Sequence, residues 1–218
     1  MENMIQVIKI IKVNMKIMLS KNYLIFIFVC LIAPAALNLS ATIYFEMIIP
    51  ISGGFIFSNM MFIEKHIGID QQYRMTSFNK GSVFLIRTAI NFMFYFITSC
   101  AFYFYLSVFG LDGVSDEFAY RNVNLITLIL FTGGVNYLFF GLMATMCSNI
   151  MNNPIGGLIV SLLYGMIWMG QYTNYDTFIM NPFPYSAGNS DAYIYKMVYL
   201  LLAACLLIQN YRHIKSRF

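Results

Sequence analysis

Hydrophobic residues make up 60% of the 218-residue chain and charged residues 10%, against roughly half and a quarter in soluble domains. Lipid is therefore the solvent for most of the chain, and the net charge of +4 reads as a topology signal beside apolar runs; nucleic acid is not implied. Cys30, Cys100, Cys147 and Cys205 show no C-x-x-C spacing and no nearby histidine pair, so they read as soft apolar residues, not as a disulfide framework or metal site.

In residues 1–20, Met4, Ile8, Ile11, Met15 and Met18 recur at helical spacing, with Lys9, Lys12 and Lys16 to one side. That pattern predicts a basic amphipathic helix lying on the inner leaflet; a frayed basic tail that only sets orientation is the alternative. Ala33-Pro34-Ala35 resembles a signal-cleavage site, but the region before the apolar core is long and itself apolar. Residues 23–39 and 42–63 predict a helical hairpin, with Asn38, Ser40 and Glu46 marking its turn and Pro50, Gly53 and Gly54 a kink or hinge in the second span. A third span is predicted over residues 88–109, where Phe92, Phe94, Tyr95, Phe96, Phe102, Tyr103, Phe104 and Tyr105 cover every face, as lipid contact would explain.

No charge lies between Arg121 and Asp176, an interval long enough for two crossings at about 20 residues each. It divides at residues 148–154, because an asparagine before a proline at the first helical position starts a helix. The fourth span then ends near Cys147, the fifth covers residues 154–171, and the sixth covers 193–208. The expected fold is an all-α integral membrane protein. An interfacial helix (1–20) precedes a six-span transmembrane domain (21–218), with a short cytoplasmic helix between spans two and three.

With both termini inside, Lys9, Lys12, Lys16, Lys21, Lys65, Arg74, Lys80, Arg87, Arg212, Lys215 and Arg217 are all cytoplasmic, and Arg121 and Lys196 alone fall outside. This satisfies the positive-inside rule for a multi-pass protein of the plasma membrane. The two histidines, His66 and His213, are both in cytoplasmic segments, which argues against intramembrane serine or zinc chemistry. No G-x-x-x-x-G-K-[ST] or Rossmann glycine pattern occurs. Among ionisable residues only Glu46 comes close to the membrane midplane, and its expected place near the outer surface leaves ion coupling unsupported. A transporter built this way takes its energy from another polypeptide.

The longest cytoplasmic loop carries Glu64, Gly68, Asp70, Tyr73, Met75 and Phe78. Asp70 can cap a short helix whose apolar knobs suit a partner's groove; a helix lying on the membrane surface fits the same pattern. Glu64 to Gly68 forms an E-x-x-x-G loop, Gly141-Leu142-Met143-Ala144-Thr145 a small-residue stretch, and Asn181-Pro182-Phe183 with Tyr185 precedes the last span. Together with the basic first helix, this organisation resembles the permease subunits of ABC-2 type ATP-binding cassette transporters over nearly the whole chain. The resemblance implies an ATPase-coupling role for Glu64, Gly68, Asp70, Tyr73, Met75 and Phe78, and a smaller second contact at residues 148–153. It implies a partial hairpin over residues 172–193 that re-enters the outer leaflet and closes the pathway. Family members often carry a proline after the coupling helix, and Thr76-Ser77-Phe78-Asn79 has none, which shifts the expected helix boundary. The chain itself would bind no cofactor; ATP and magnesium would belong to the partner ATPase.

Gly157, Ser161 and Gly165 share one face of the fifth span and allow close helix approach, either at a seam with a second permease copy or homologue or within one chain. Glu46, Asn59 and Asn136 are candidates for a substrate pathway, although bonding between neighbouring helices is the favoured reading of Asn59, Asn91 and Asn136. With no charge expected inside the spans, the cargo would be amphipathic or hydrophobic, a peptide or drug-like molecule moved outward. A substrate-binding subunit of a vitamin uptake system, or a membrane protein that sequesters a toxin, are the competing readings.

Overall fold

The computed structural model describes residues 8, 12, 43–60, 80–108, 131–171, 174, 180–186 and 191–216; their regular secondary structure is all helical, with no strand among them. A π-helical turn at Tyr44–Ile48 leads into α1, Ile49–Asn59. The remaining helices are α2, Lys80–Val108; α3, Gly134–Met151; α4, Pro154–Gln171; and α5, Ala192–Ser216. Three of them, α2, α4 and α5, are long and apolar enough to cross a membrane. The first predicted span, the loop of residues 61–79 and the predicted extracellular loop of residues 110–121 lie outside the described residues, and the described residues bear out three membrane-spanning helices of the six expected. Of the expected interfacial helix only Ile8 and Lys12 are described, both helical and exposed.

Helix α3 is the centre of the bundle. It packs against α1, α4 and α5, and between Gly134 and Asn149 no residue is exposed. Side-chain hydrogen bonds lace it to its neighbours: Thr145 Oγ1 donates to Phe57 O on α1 at 3.2 Å, Ser161 Oγ on α4 to Phe140 O at 3.3 Å, and Asn210 Nδ2 on α5 to Leu142 O at 3.0 Å. In an apolar surround such bonds contribute about 0.6 kcal/mol each, and up to about 2. The outer helices turn apolar stripes outward: Leu85, Met93, Ile97 and Phe104 on α2, and Ile155, Ile159, Leu163 and Met166 on α4. A helix with one face in the bundle and an aliphatic opposite face belongs in lipid, where exposed apolar surface costs nothing.

The turn between α3 and α4 follows the predicted chemistry. Asn152 ends α3 in the left-handed conformation (φ 50°), which asparagine tolerates, and Asn153 Oδ1 accepts the Ile155 N–H at 2.9 Å to cap α4, whose first residue is Pro154. The fifth predicted span thus matches α4 at both ends. Elsewhere the helices outrun the hydrophobic pattern. Helix α2 begins at Lys80, eight residues before the predicted start, and α5 continues to Ser216, because charged residues at membrane edges extend a helix without interrupting it.

The expected hinge at Pro50, Gly53 and Gly54 is corrected. Helix α1 runs unbroken through both glycines, and the irregularity is the π-helical turn just before Pro50. The glycines serve close approach: a Cβ on Gly53 would lie 2.7 Å from Tyr137 O on α3, and one on Gly54 would strike Ser161. The aromatic cluster of α2 is also more than lipid contact. Tyr95 and Phe102 are buried, with Tyr95 stacked on Tyr137 at 4.5 Å between centroids and Phe102 against Tyr44 at 3.9 Å.

Helices α1, α3 and α5 run in one direction and α2 and α4 in the other, which gives the bundle two chemically distinct ends. One end carries Lys80, Arg87, Arg212 and Lys215. There Arg87, 3% exposed, donates to Met60 O at 2.7 Å and so satisfies a carbonyl at the C-terminus of α1. The other end holds Glu46, Asp191 and Lys196.

Candidate functional site

At that second end a polar junction is enclosed by aromatic residues. Its origin is local. Pro50 has no N–H to give the Glu46 carbonyl four residues earlier, so that carbonyl needs another donor. Asn136, in the first turn of α3 and fully buried, supplies it: Nδ2 donates to Glu46 O at 3.0 Å and also to Pro182 O at 2.7 Å. Lys196, in the second turn of α5, reaches the same place. Its Nζ lies 2.8 Å from Glu46 Oε1 and donates to Pro182 O at 2.7 Å, with both charged side chains wholly buried.

The Glu46 carboxylate is further tied to the chain between α4 and α5. Oε1 accepts the Tyr185 N–H at 3.2 Å and Oε2 the Ser186 N–H at 2.5 Å. Tyr199 Oη donates to Met180 O at 2.5 Å, and Asn181 Oδ1 accepts the Phe183 N–H at 2.9 Å, which shapes the turn before Pro184. Residues 180–186 are thus held by side chains from three separate elements: Glu46 before α1, Asn136 on α3, and Lys196 and Tyr199 on α5. Burial pushes the Tyr185 phenol up from its ordinary range, and the neighbouring Glu46 charge adds to the effect, so this group stays neutral.

Beneath the segment lies a ring of aromatics. Phe140 stacks with Phe183 at 6.1 Å, Phe139 meets Tyr199 edge-on at 4.7 Å, and Tyr164 Oη shares a hydrogen bond of 2.8 Å with Tyr199 Oη. The apolar wall removes water and strengthens the ion pair. It also makes the pair unforgiving, since taking away one partner leaves a desolvated charge.

The predicted site residues separate clearly in space. Glu46 and Asn136 come together at the junction, where the Glu46 carboxylate and the Asn136 Nδ2 bond protein atoms. Asn59 lies apart from them and donates to Phe55 O of its own helix at 3.3 Å; Asn91 Nδ2 contacts Met60 Sδ at 3.2 Å. The stripe Gly157, Ser161 and Gly165 is the buried face of α4. A Cβ on Gly157 would collide with Ala144 O and Ser148, and one on Gly165 would lie 2.8 Å from Ile51. These three residues therefore pack within the chain and are not open to a second copy. Glu64, Gly68, Asp70, Tyr73, Met75 and Phe78 lie outside the described residues.

Sequence reasoning missed Lys196 as a partner. It placed Glu46 and Lys196 at the same membrane edge as two unrelated charges, and took the spans to be free of charged sites. The correction is that Lys196 sits on α5, fully buried, with Glu46 as its counter-ion. A signal existed: an acid and a base at one apolar edge must be solvated by water or by each other. Family models, curated proteins and solved structures were all compared with this chain, and none matches it.

Proposed function

We propose that this chain is the permease subunit of an ATP-driven exporter of the ABC-2 type, working with a separate ATPase subunit and a second permease copy or homologue to move an amphipathic cargo out of the cell. The observation that carries the reading is the clamped segment of residues 180–186. It lies at the end of the bundle opposite Lys80, Arg87, Arg212 and Lys215, the end that the positive-inside rule assigns to the outer face. A segment folded onto the outer end of a helical bundle by a buried ion pair closes that end at rest, and an energy source acting at the basic end would have to release it. The reading keeps the loop with Glu64, Gly68, Asp70, Tyr73, Met75 and Phe78 as the ATPase contact and puts the chain in the plasma membrane with both termini inside. It does not use the stripe on α4 as the seam between permeases.

The test is co-expression with a candidate ATPase subunit, followed by purification and reconstitution. A stable complex whose ATP hydrolysis rises with an exported amphipathic compound supports the proposal. A chain that purifies alone with a tightly held vitamin, or that binds a toxin without any ATPase, refutes it in favour of the corresponding competing reading.

A further inference from the structure

The donors around the Glu46 carboxylate are those that a ligand carboxylate would need. Lys196 Nζ at 2.8 Å supplies the charge, and two successive backbone amides, Tyr185 N at 3.2 Å and Ser186 N at 2.5 Å, meet the two oxygens separately. Part of this frame is held without the Glu46 carboxylate, although the Tyr185 and Ser186 amides have that carboxylate as their partner. Pro182 O holds Lys196 in place, while Asn136 holds Pro182 O and Tyr199 holds Met180 O. If Glu46 leaves, a buried ammonium remains beside two amides facing one empty position, and such an arrangement demands an anion.

Two further features fit an exchangeable occupant. Tyr185 and Ser186 are partly exposed and Met180 is exposed, so the segment that covers the buried Glu46–Lys196 pair lies at the edge of the described bundle. Glu46 sits in the middle of the π-helical turn Tyr44–Ile48, a conformation with one residue more per turn than an α-helix and found often at functional sites.

We infer that Lys196 and the Tyr185 and Ser186 amides form a carboxylate seat, filled by Glu46 in this state and open to the carboxylate of a ligand when Glu46 withdraws. For the exporter this would be an acidic group on an amphipathic cargo, an extension that rests on the proposed function; the seat itself does not depend on it. The experiment therefore uses the full chain in lipid nanodiscs without any ATPase, with formate as the probe. E46G empties the seat, and E46Q keeps the shape of the side chain while removing the charge. Unfolding midpoints are recorded against formate concentration, with chloride at equal ionic strength. Each tenfold rise in formate above half-saturation should raise the midpoint of E46G by about 3–6 °C. E46Q, which folds as the near-isostere, should respond in the same direction at higher formate, and adding K196M to either variant should abolish the response. Stabilisation by chloride equal to that by formate, or a formate effect that survives K196M, overturns the assignment. So does an E46Q protein indifferent to formate when E46G cannot be isolated.

Discussion

Replacing Lys196 with methionine and Glu46 with leucine, singly and together, should expose how the junction is built. K196M removes the charge partner but leaves the Glu46 carboxylate two amide donors, and Asn136 still satisfies Pro182 O. E46L leaves the ammonium with Pro182 O alone and strands the Tyr185 and Ser186 N–H groups. Breaking a buried pair costs about 3–5 kcal/mol, so K196M should fall at the low end of that range and E46L at the high end. The double variant removes both charges and should cost less than the sum, with a coupling energy of about 1–3 kcal/mol. Chemical or thermal unfolding of the purified chain in lipid gives all four values. Additive effects, or single costs below about 1 kcal/mol, would mean that the two side chains do not share a desolvated contact and would refute the junction as described.

Gly157→Leu should prevent α4 from seating on α3, lowering the yield of folded chain and its unfolding midpoint whether or not a second copy is present; a normally folded variant with only a weakened dimer would contradict the packing seen here. Asn153→Ala should cost about 1 kcal/mol through loss of the α4 cap, measured as a lower midpoint, while Asn153→Asp should retain most of it. Cysteines placed at Ser190 and Ser216 in a cysteine-free background should be labelled from outside and from inside respectively, and the reverse pattern would overturn the orientation. Alanine at Tyr73, Met75 and Phe78 together should leave membrane insertion intact and abolish substrate-stimulated ATP hydrolysis in the reconstituted complex. Equal hydrolysis by wild type and variant would remove the coupling role from that loop.

Local grammar was the most legible part of the sequence. The Asn152-Asn153-Pro154 turn stated its own geometry, because a left-handed cap, a side-chain acceptor for a free N–H and a proline each tolerate few alternatives. Helix ends flanked by charge were less legible, since Lys80 and Arg212 can stay helical while their charged groups reach the membrane edge. The small-residue stripe on α4 showed that a helix would come close but not which one. Gly157 against Ala144 and Gly165 against Ile51 are contacts of the same chain, and periodicity carries no such label. The junction was hidden by distance along the chain. Glu46 and Lys196 meet directly in an ion pair of 2.8 Å, and the reason Asn136 belongs with them, a carbonyl freed by Pro50, appears only when the helices are assembled.

The central claim, that residues 180–186 close the outer end of a permease and are released by the energy source, is tested most directly by the reactivity of one position. A cysteine replacing Ser186 in the cysteine-free chain, reconstituted with its ATPase, is labelled from outside with a membrane-impermeant maleimide in the presence and absence of ATP. The account predicts slow labelling at rest, when the Ser186 amide is bound to Glu46, and a several-fold faster rate while ATP is being hydrolysed. An identical rate in both conditions, from a complex that hydrolyses ATP, would contradict it.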